Sequence, residues 1–228
     1  MTLLADIRYA VRVLTRTPVF AIAAIGTLAL GIGANTTIFS LVRSVLLQPL
    51  PYADPDRIVM VWEDASQIGF PKNTPAPGNY NDWKAANRSF TDMAATRFNG
   101  ASLTGDGAPE QIIGRAVTAN FFGVLGVRPQ LGRAFAPGED TSGAQVVVIS
   151  HALWQRRYHG DRGILGRAIV MNNAKYEVVG VAPRSFVFRD RDIDYWIPMH
   201  LSPQQIDTRR DHFLNVVAKL RPGVAVAT

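Results

Sequence analysis

The segment Thr17–Val42, TPVFAIAAIGTLALGIGANTTIFSLV, contains 26 residues without a charge and lies between Arg16 and Arg43. A bilayer core is roughly 30 Å thick, and a helix that rises about 1.5 Å per residue crosses it with about 20 apolar residues. A helix also satisfies its own backbone hydrogen bonds, which is required in hydrocarbon. The segment therefore predicts a transmembrane helix over residues 18–47.

Residues 1–17, which precede this helix, contain apolar residues at helical spacing, with charged residues on the other faces. The apolar residues are Leu3, Leu4, Ile7, Val11 and Leu14. This pattern favours a short amphipathic helix in the membrane interface over an ordinary soluble helix. Because Arg8, Arg12 and Arg16 precede the transmembrane segment, the positive-inside rule places the N-terminus in the cytoplasm and the C-terminal bulk outside.

A cleaved signal peptide is the main alternative for this N-terminal region. Its apolar core usually has about 7–15 residues and is followed by a small-residue cleavage site. Here the uncharged run is longer and no clear A-x-A sequence follows it. We therefore favour a retained membrane anchor.

Small residues recur inside the transmembrane segment. Ala29, Gly33 and Thr37 are four residues apart, and Gly26 flanks the same side. Small residues at this spacing allow another helix to approach closely, and lipid tolerates the amide of Asn35 poorly unless protein covers it. These five residues are therefore the predicted positions of helix packing in the membrane.

Composition and charge limit the possible functions. The 228 residues are 47% hydrophobic and 18% charged, which is typical of a folded protein. The net charge of +6 is diffuse, without a basic helix or a basic and aromatic stripe, so we expect no nucleic-acid partner. The absence of cysteine excludes disulfides, thiolate metal sites and cysteine nucleophiles.

The remainder of the chain, residues 48–228, alternates short strands with short helices, so we expect an α+β fold in one or two lobes. The predicted strands are 57–62, 111–118, 146–149, 195–198, 215–220 and a hairpin over 167–181 that turns at Asn172 and Asn173. The predicted helices are 79–87 capped by Asn79, a helical turn within 90–96, 119–125, and 151–158 capped by Ser150. Residues 64–78 read as a loop.

The sequence contains no constellation typical of catalysis. It has no P-loop and no G-x-S-x-G, and its four histidines form no metal-binding motif. Asp190, Asp192 and Asp194 imitate the start of a calcium loop, but Tyr195 occupies the position that requires glycine. We therefore predict a protein that is not an enzyme and that has no catalytic residue, metal or cofactor.

Several stretches together resemble MacB/FtsX-like ABC transporter permeases, in particular the duplicated orphan permeases that carry no ATPase domain. The stretches include LALGIGANTTIFS at 28–40, LLQPLPY at 46–52, FFGVLG at 121–126 and VVGVAP at 178–183. The resemblance implies a first membrane helix followed by a MacB-like periplasmic core domain over 48–228, with two lobes. It places the chain in the cell inner membrane. Permeases of this family have three further membrane helices after the core domain, whereas this sequence shows one span, so we expect a single pass in this chain.

The resemblance also implies a role and partners. Such permeases transmit motion from a separate ABC ATPase to the periplasmic domain, for efflux or lipoprotein handling. The implied partners are the lipid bilayer, other permease helices or a second permease copy, and the ATPase. Since the sequence ends at Thr228, before any FtsX-like module, we expect the core domain to be C-terminally incomplete. A stand-alone anchored module that binds a ligand or partner is the alternative.

Overall fold

The structure is a computed structural model, and the chain divides into two compact units, Met1–Pro49 and Leu50–Thr228. The residues that it describes are 8, 9, 12, 13, 15–42, 52–189 and 192–225.

The first unit contains one long helix, α1, which spans Pro18–Val42 without interruption. Proline fits at a helix start because it lacks only a hydrogen bond that this position would not make. The apolar side chains of α1 remain exposed, for example Val19 at 82% and Leu30 at 77%. Pro18–Ser40 is long enough and apolar enough to cross a membrane, so α1 is a candidate transmembrane helix.

The predicted amphipathic helix is described only in part. Residues 8, 9, 12, 13, 15 and 16 are helical and exposed. The apolar residues that carried the prediction, Leu3, Leu4, Ile7, Val11 and Leu14, lie outside the described residues, as do residues 43–47 of the predicted transmembrane segment.

The second unit is an α+β domain, as expected, with eleven strands among the residues that the structure describes. The strands are β1 (Ile58–Val61), β2 (Glu63–Ala65), β3 (Phe70–Asn73), β4 (Phe90–Thr104), β5 (Glu110–Val117), β6 (Leu131–Gly132), β7 (Val146–Ile149), β8 (Ala168–Met171), β9 (Ala174–Val181), β10 (Tyr195–Pro198) and β11 (Asn215–Leu220). The helices are α2 (Pro77–Ala86), α3 (Phe121–Leu125), α4 (His151–Tyr158) and α5 (Pro203–Ile206). Within the described residues, three 3-10 turns span Pro55–Arg57, Ser66–Ile68 and Arg162–Ile164.

Nine strands form one sheet in the order β1-β11-β4-β5-β10-β7-β9-β6, and β8 pairs with both β4 and β9. The long strand β4 pairs with different strands along its length, and this links the two parts of the sheet. Its first half pairs with β11, from Phe90 to Thr96, whereas Leu103 and Thr104 at its end pair with β8. Strands β4, β5, β10, β7, β9 and β8 therefore close into a ring, and β1 and β11 extend the sheet beyond it.

Each part of the sheet has its own apolar core. All six ring strands contribute to one buried cluster, with Leu103, Ile112 and Met171 among its members, and such a cluster fills a small closed barrel. Aromatic side chains dominate a second cluster, in which Phe122 packs edge-on against Trp196 at 5.7 Å between ring centroids. A third cluster joins β4 and β11 to Tyr80 of α2.

Several local predictions are confirmed. Ser150 caps α4 by accepting a hydrogen bond from the Leu153 amide, and Asn172 and Asn173 form the β8–β9 turn with φ of 49° and 63°. The predicted strands over 57–62, 111–118, 146–149, 195–198 and 215–220 and the short helix over 119–125 are all present.

Three predictions are wrong. Residues 90–96 form the start of β4 rather than a helical turn, because they pair in antiparallel register with β11. The expected loop over 64–78 contains the β2–β3 hairpin, which turns at Gly69 with φ of 88°. Asn79 does not cap a helix, since α2 begins at Pro77 and Ala76 is its N-cap residue.

Candidate functional site

The predicted packing residues of α1 divide into two groups. Gly26, Ala29, Gly33 and Thr37 share one side of the helix, since an α-helix has 3.6 residues per turn. A Cβ atom added at Gly26 or Gly33 would meet no atom within 4 Å. The Thr37 hydroxyl donates to the Gly33 carbonyl oxygen at 2.8 Å, so its hydrogen bond is made within the helix. This side of α1 is therefore a smooth stripe of small residues.

Asn35 lies elsewhere on the helix. It follows Gly33 by two residues, which rotates it by about 200° to the opposite side. Thr27 and Thr36 donate their hydroxyls to the backbone of α1, whereas the Asn35 amide has no hydrogen-bond partner within the described part of the chain. The structure thus places a second, polar feature opposite the stripe. The predicted anchors Arg8, Arg12 and Arg16 are exposed helical residues.

The core domain carries a groove with a volume of about 850 Å³. A smaller cavity of about 280 Å³ shares Lys84 and Asp140 with it. The apolar part of the groove wall comes from α3 and the loop after β6, including Val124, Phe135 and Pro137. Its charged lining residues are Arg57, Lys84, Asp92, Asp140 and Lys219.

Most of these charges are engaged with neighbouring groups. Lys219 Nζ lies 2.6 Å from Asp54, and this hydrogen bond holds the pKa of the Asp54 carboxyl below its usual range. Lys84 Nζ lies 3.9 Å from Asp92, and Asp140 accepts a hydrogen bond from the Ala119 amide at 2.8 Å. The groove therefore offers an apolar contact surface with a polar rim, which suits binding.

Tyr80 lies at the wall of the smaller cavity, and its hydroxyl donates to the Met93 carbonyl oxygen at 3.1 Å. Burial raises the pKa of its phenol above the ordinary value, so it stays neutral at physiological pH. In this position the phenol connects α2 to β4.

No group of three or more His, Asp or Glu side chains is arranged to hold a metal among the residues that the structure describes. Of the three aspartates that imitate a calcium loop, Asp194 is paired with Arg156 at 3.0 Å and Asp190 lies outside the described residues.

The family model for the MacB-like periplasmic core domain matches residues 21–228. The chain belongs to this family. The match includes all the described residues of the α+β domain and extends back into α1. The predicted family is thereby confirmed.

One related sequence is the macrolide export ATP-binding/permease protein MacB of Burkholderia thailandensis. It is 28% identical over 109 residues, which cover 47% of this chain. The chain spans only 16% of the length of that curated relative.

Solved structures share the fold of the core domain. A permease protein domain from Porphyromonas gingivalis matches with a TM-score of 0.60 and 16% identity, over 76% of this chain and 79% of its own. The periplasmic region of MacB from Actinobacillus actinomycetemcomitans matches with a TM-score of 0.54 and 13% identity. The match covers 74% of this chain and 75% of that structure. The extracellular domain of the transporter YknZ from Gram-positive bacteria matches with a TM-score of 0.51 and 15% identity. The match covers 73% of this chain and 83% of that structure.

Proposed function

We propose that the chain is the non-catalytic, membrane-anchored portion of an ABC-type transporter permease, and that a separate subunit hydrolyses ATP. The observation that carries this proposal is the order of its parts. The family match over residues 21–228 begins within a candidate transmembrane helix and continues through the α+β domain that follows this helix in the same chain. In this proposal the chain lies in the inner membrane with its N-terminus in the cytoplasm and its core domain in the periplasm.

The mechanism proposed for such a chain is mechanical. The small stripe of α1 packs against other permease helices or a second permease copy, and the core domain differs in its contacts between two conformations. ATP hydrolysis by the partner subunit shifts the balance between these conformations. The work performed outside the membrane is then efflux or lipoprotein handling.

Two fusions test the proposed location. Alkaline phosphatase, which is active only outside the cytoplasm, is joined after residue 228, and green fluorescent protein is joined before residue 1. We expect phosphatase activity from the first fusion, fluorescence from the second, and both proteins in the inner membrane fraction. Phosphatase activity released into the soluble periplasmic fraction would indicate a cleaved signal peptide instead.

Co-purification tests the proposed partner. The tagged chain is co-expressed with the ABC ATPase encoded nearest to it and with a permease that supplies further helices. We expect the ATPase to be retained with the chain and to be lost when the permease is omitted. Folded, membrane-bound chain that never retains the ATPase would contradict this proposal.

The groove of about 850 Å³ supports a second candidate, a stand-alone anchored module that binds a ligand or partner. Ligand binding by the chain in the absence of any ATPase would favour this candidate. Binding that requires the assembled transporter would favour the first.

A further inference from the structure

The residues before α1 place three arginines on one side of a helix. Arg8, Arg12 and Arg16 are helical and exposed, and they follow one another at intervals of four residues. In a helix, residues four apart lie about one turn apart on the same side. Asp6 is the only acidic residue before α1 in the sequence, and none of the three arginines forms an ion pair with a carboxylate that the structure describes. This arginine stripe therefore presents three positive charges to its surroundings.

Helical hydrogen bonds join the arginine stripe to α1. The Thr17 amide donates to the Val13 carbonyl oxygen at 3.2 Å, and the Ala21 amide donates to the Thr17 carbonyl oxygen at 3.0 Å. Both bonds run from residue i to residue i−4, as in an α-helix, and Pro18 lies between them. Because proline lacks only its own N–H, it removes a single bond of this series. The arginine stripe thus lies on a helical continuation of the candidate transmembrane helix.

This continuity determines how far each arginine lies from the hydrocarbon. The candidate membrane span begins at Pro18. With a rise of about 1.5 Å per residue, Arg16, Arg12 and Arg8 lie about 3, 9 and 15 Å along the helix from Pro18. The headgroup region on each side of a bilayer is about 5–8 Å thick. Arg16 therefore lies within this region, Arg12 just outside it and Arg8 well outside it.

We infer that Arg16 and Arg12 bind the phosphate of an anionic phospholipid. A guanidinium is always protonated and can donate two parallel hydrogen bonds to one phosphate. Helical side chains tilt toward the N-terminus, so the Arg16 side chain is directed away from the hydrocarbon and into the headgroup region. The acyl chains of the same lipid would pack along the exposed apolar side chains at the start of α1, such as Val19 at 82% and Phe20 at 68%.

The inference rests on the membrane anchoring proposed above, but it does not require an ATPase. Its occupant is a lipid because the phosphate-binding groups and the apolar helix surface adjoin one another. A zwitterionic phospholipid has the same acyl chains but no net charge, so the positive charge of the arginines should select the anionic headgroup.

Lipid retention by the purified chain tests this selection. The full chain is prepared in a non-ionic detergent and mixed with equal amounts of dioleoyl-phosphatidylglycerol and dioleoyl-phosphatidylcholine. These two lipids share their acyl chains and differ in headgroup charge. Native mass spectrometry measures how much of each lipid stays bound. We expect a preference for phosphatidylglycerol of about tenfold or more, to which each arginine near the membrane surface contributes about fivefold at most.

Three matched variants each remove one charge from the same side of the helix. We expect Arg16→Gln to lower the preference about fivefold, Arg12→Gln to lower it less, and Arg8→Gln to leave it within about twofold of the wild type. Glutamine has a high helix propensity, so the helix should be retained. Fluorescence of the four tryptophans, which all belong to the core domain, checks that each variant is folded.

Equal retention of the two lipids by the wild type would overturn the inference. Equal losses in the three variants would also overturn it, because they would indicate diffuse attraction without a site at Arg16 and Arg12. Displacement of phosphatidylglycerol by glycerol 3-phosphate would assign the arginines to a soluble anion instead. A chain that stays soluble without detergent would contradict the proposed membrane anchoring, whereas an anchored chain without lipid preference would contradict the lipid site alone.

Discussion

The imidazole Nδ1 of His212 lies 2.9 Å from the carboxylate of Glu63, although the two residues are far apart in the sequence. The same carboxylate accepts hydrogen bonds from the Ala76 amide at 2.7 Å and from the Asn79 side chain at 2.8 Å. Glu63 is largely buried. One side chain at the root of the β2–β3 hairpin therefore connects the start of α2 to the segment before β11.

Glu63→Ala is expected to lower the free energy of unfolding by about 2–3 kcal/mol, because it leaves the buried Ala76 amide and the Asn79 side-chain amide without their acceptor. Asp64→Ala is the matched control, since this neighbouring carboxylate is exposed, and it should cost less than about 1 kcal/mol. Urea unfolding of the full chain in detergent, followed by tryptophan fluorescence, measures both variants. Equal losses would show that the Glu63 contacts contribute nothing specific.

Gly114→Ala is expected to destabilise the core domain by about 2 kcal/mol or more, because the new methyl group would overlap the ring of Tyr195. Tyr195 cannot move freely, since its hydroxyl donates to the Asn99 backbone carbonyl at 3.2 Å. Gly123→Ala makes the same change in α3, where nothing lies within 4 Å, and it should be neutral or stabilising. The same unfolding measurement compares them, and a Gly114→Ala variant as stable as Gly123→Ala would contradict the packing described.

Local sequence patterns were sufficient to predict many of the helices, strands and turns. The Ser150 cap, the turn at Asn172 and Asn173 and the apolar strand Val146–Ile149 depend on the residues within each element, and all were predicted. Residues 90–96 form a strand only because β11 pairs with them, and β11 follows more than a hundred residues later. The closure of the ring by β8 is likewise a long-range pairing that no local pattern contains.

The groove could not be predicted for the same reason. Arg57, Lys84, Asp140 and Lys219 line it together, but successive members of this set are 27 to 79 positions apart along the chain. Their spacing matches no motif, and each alone is an ordinary surface charge. By contrast, spacing alone places Gly26, Ala29, Gly33 and Thr37 on one side of α1, because they are neighbours on a single helix, and their packing in the membrane stays a prediction.

Protonation of Glu139 is expected to weaken the core domain in acid. Arg133 donates two hydrogen bonds to its carboxylate, at 3.0 Å and 2.7 Å, and this pairing holds the pKa of Glu139 below its usual range. Because the folded-state pKa is lowered, the stabilisation is present above the unfolded pKa, about 4.3, and is lost as pH falls below it. Glu139→Gln should therefore cost up to about 1 kcal/mol at pH 7, and this cost should shrink as the pH falls below the unfolded pKa.

Urea midpoints of the wild type and Glu139→Gln at a series of pH values measure this difference. Asp56→Asn is the control, because Asp56 is exposed, and at pH 7 it should cost less than Glu139→Gln. A Glu139→Gln variant whose deficit stays constant from pH 7 to pH 3 would show that the ion pair is not the cause.

Gly33→Leu is expected to weaken the association of α1 with a partner helix about tenfold, or about 1.4 kcal/mol, without preventing membrane insertion. The change places a bulky side chain in the middle of the small stripe, where the Thr37 hydroxyl is already bonded to the helix and cannot compensate. Gly31→Leu introduces the same side chain two positions earlier, about 200° away on the opposite side of the helix. Both glycines have open space around them in α1. Any difference in association between the two variants is therefore due to contacts with the partner helix and not to strain within α1. Cross-linking in membranes measures the association, and equal cross-linking of the two variants would place the contact on another face of α1.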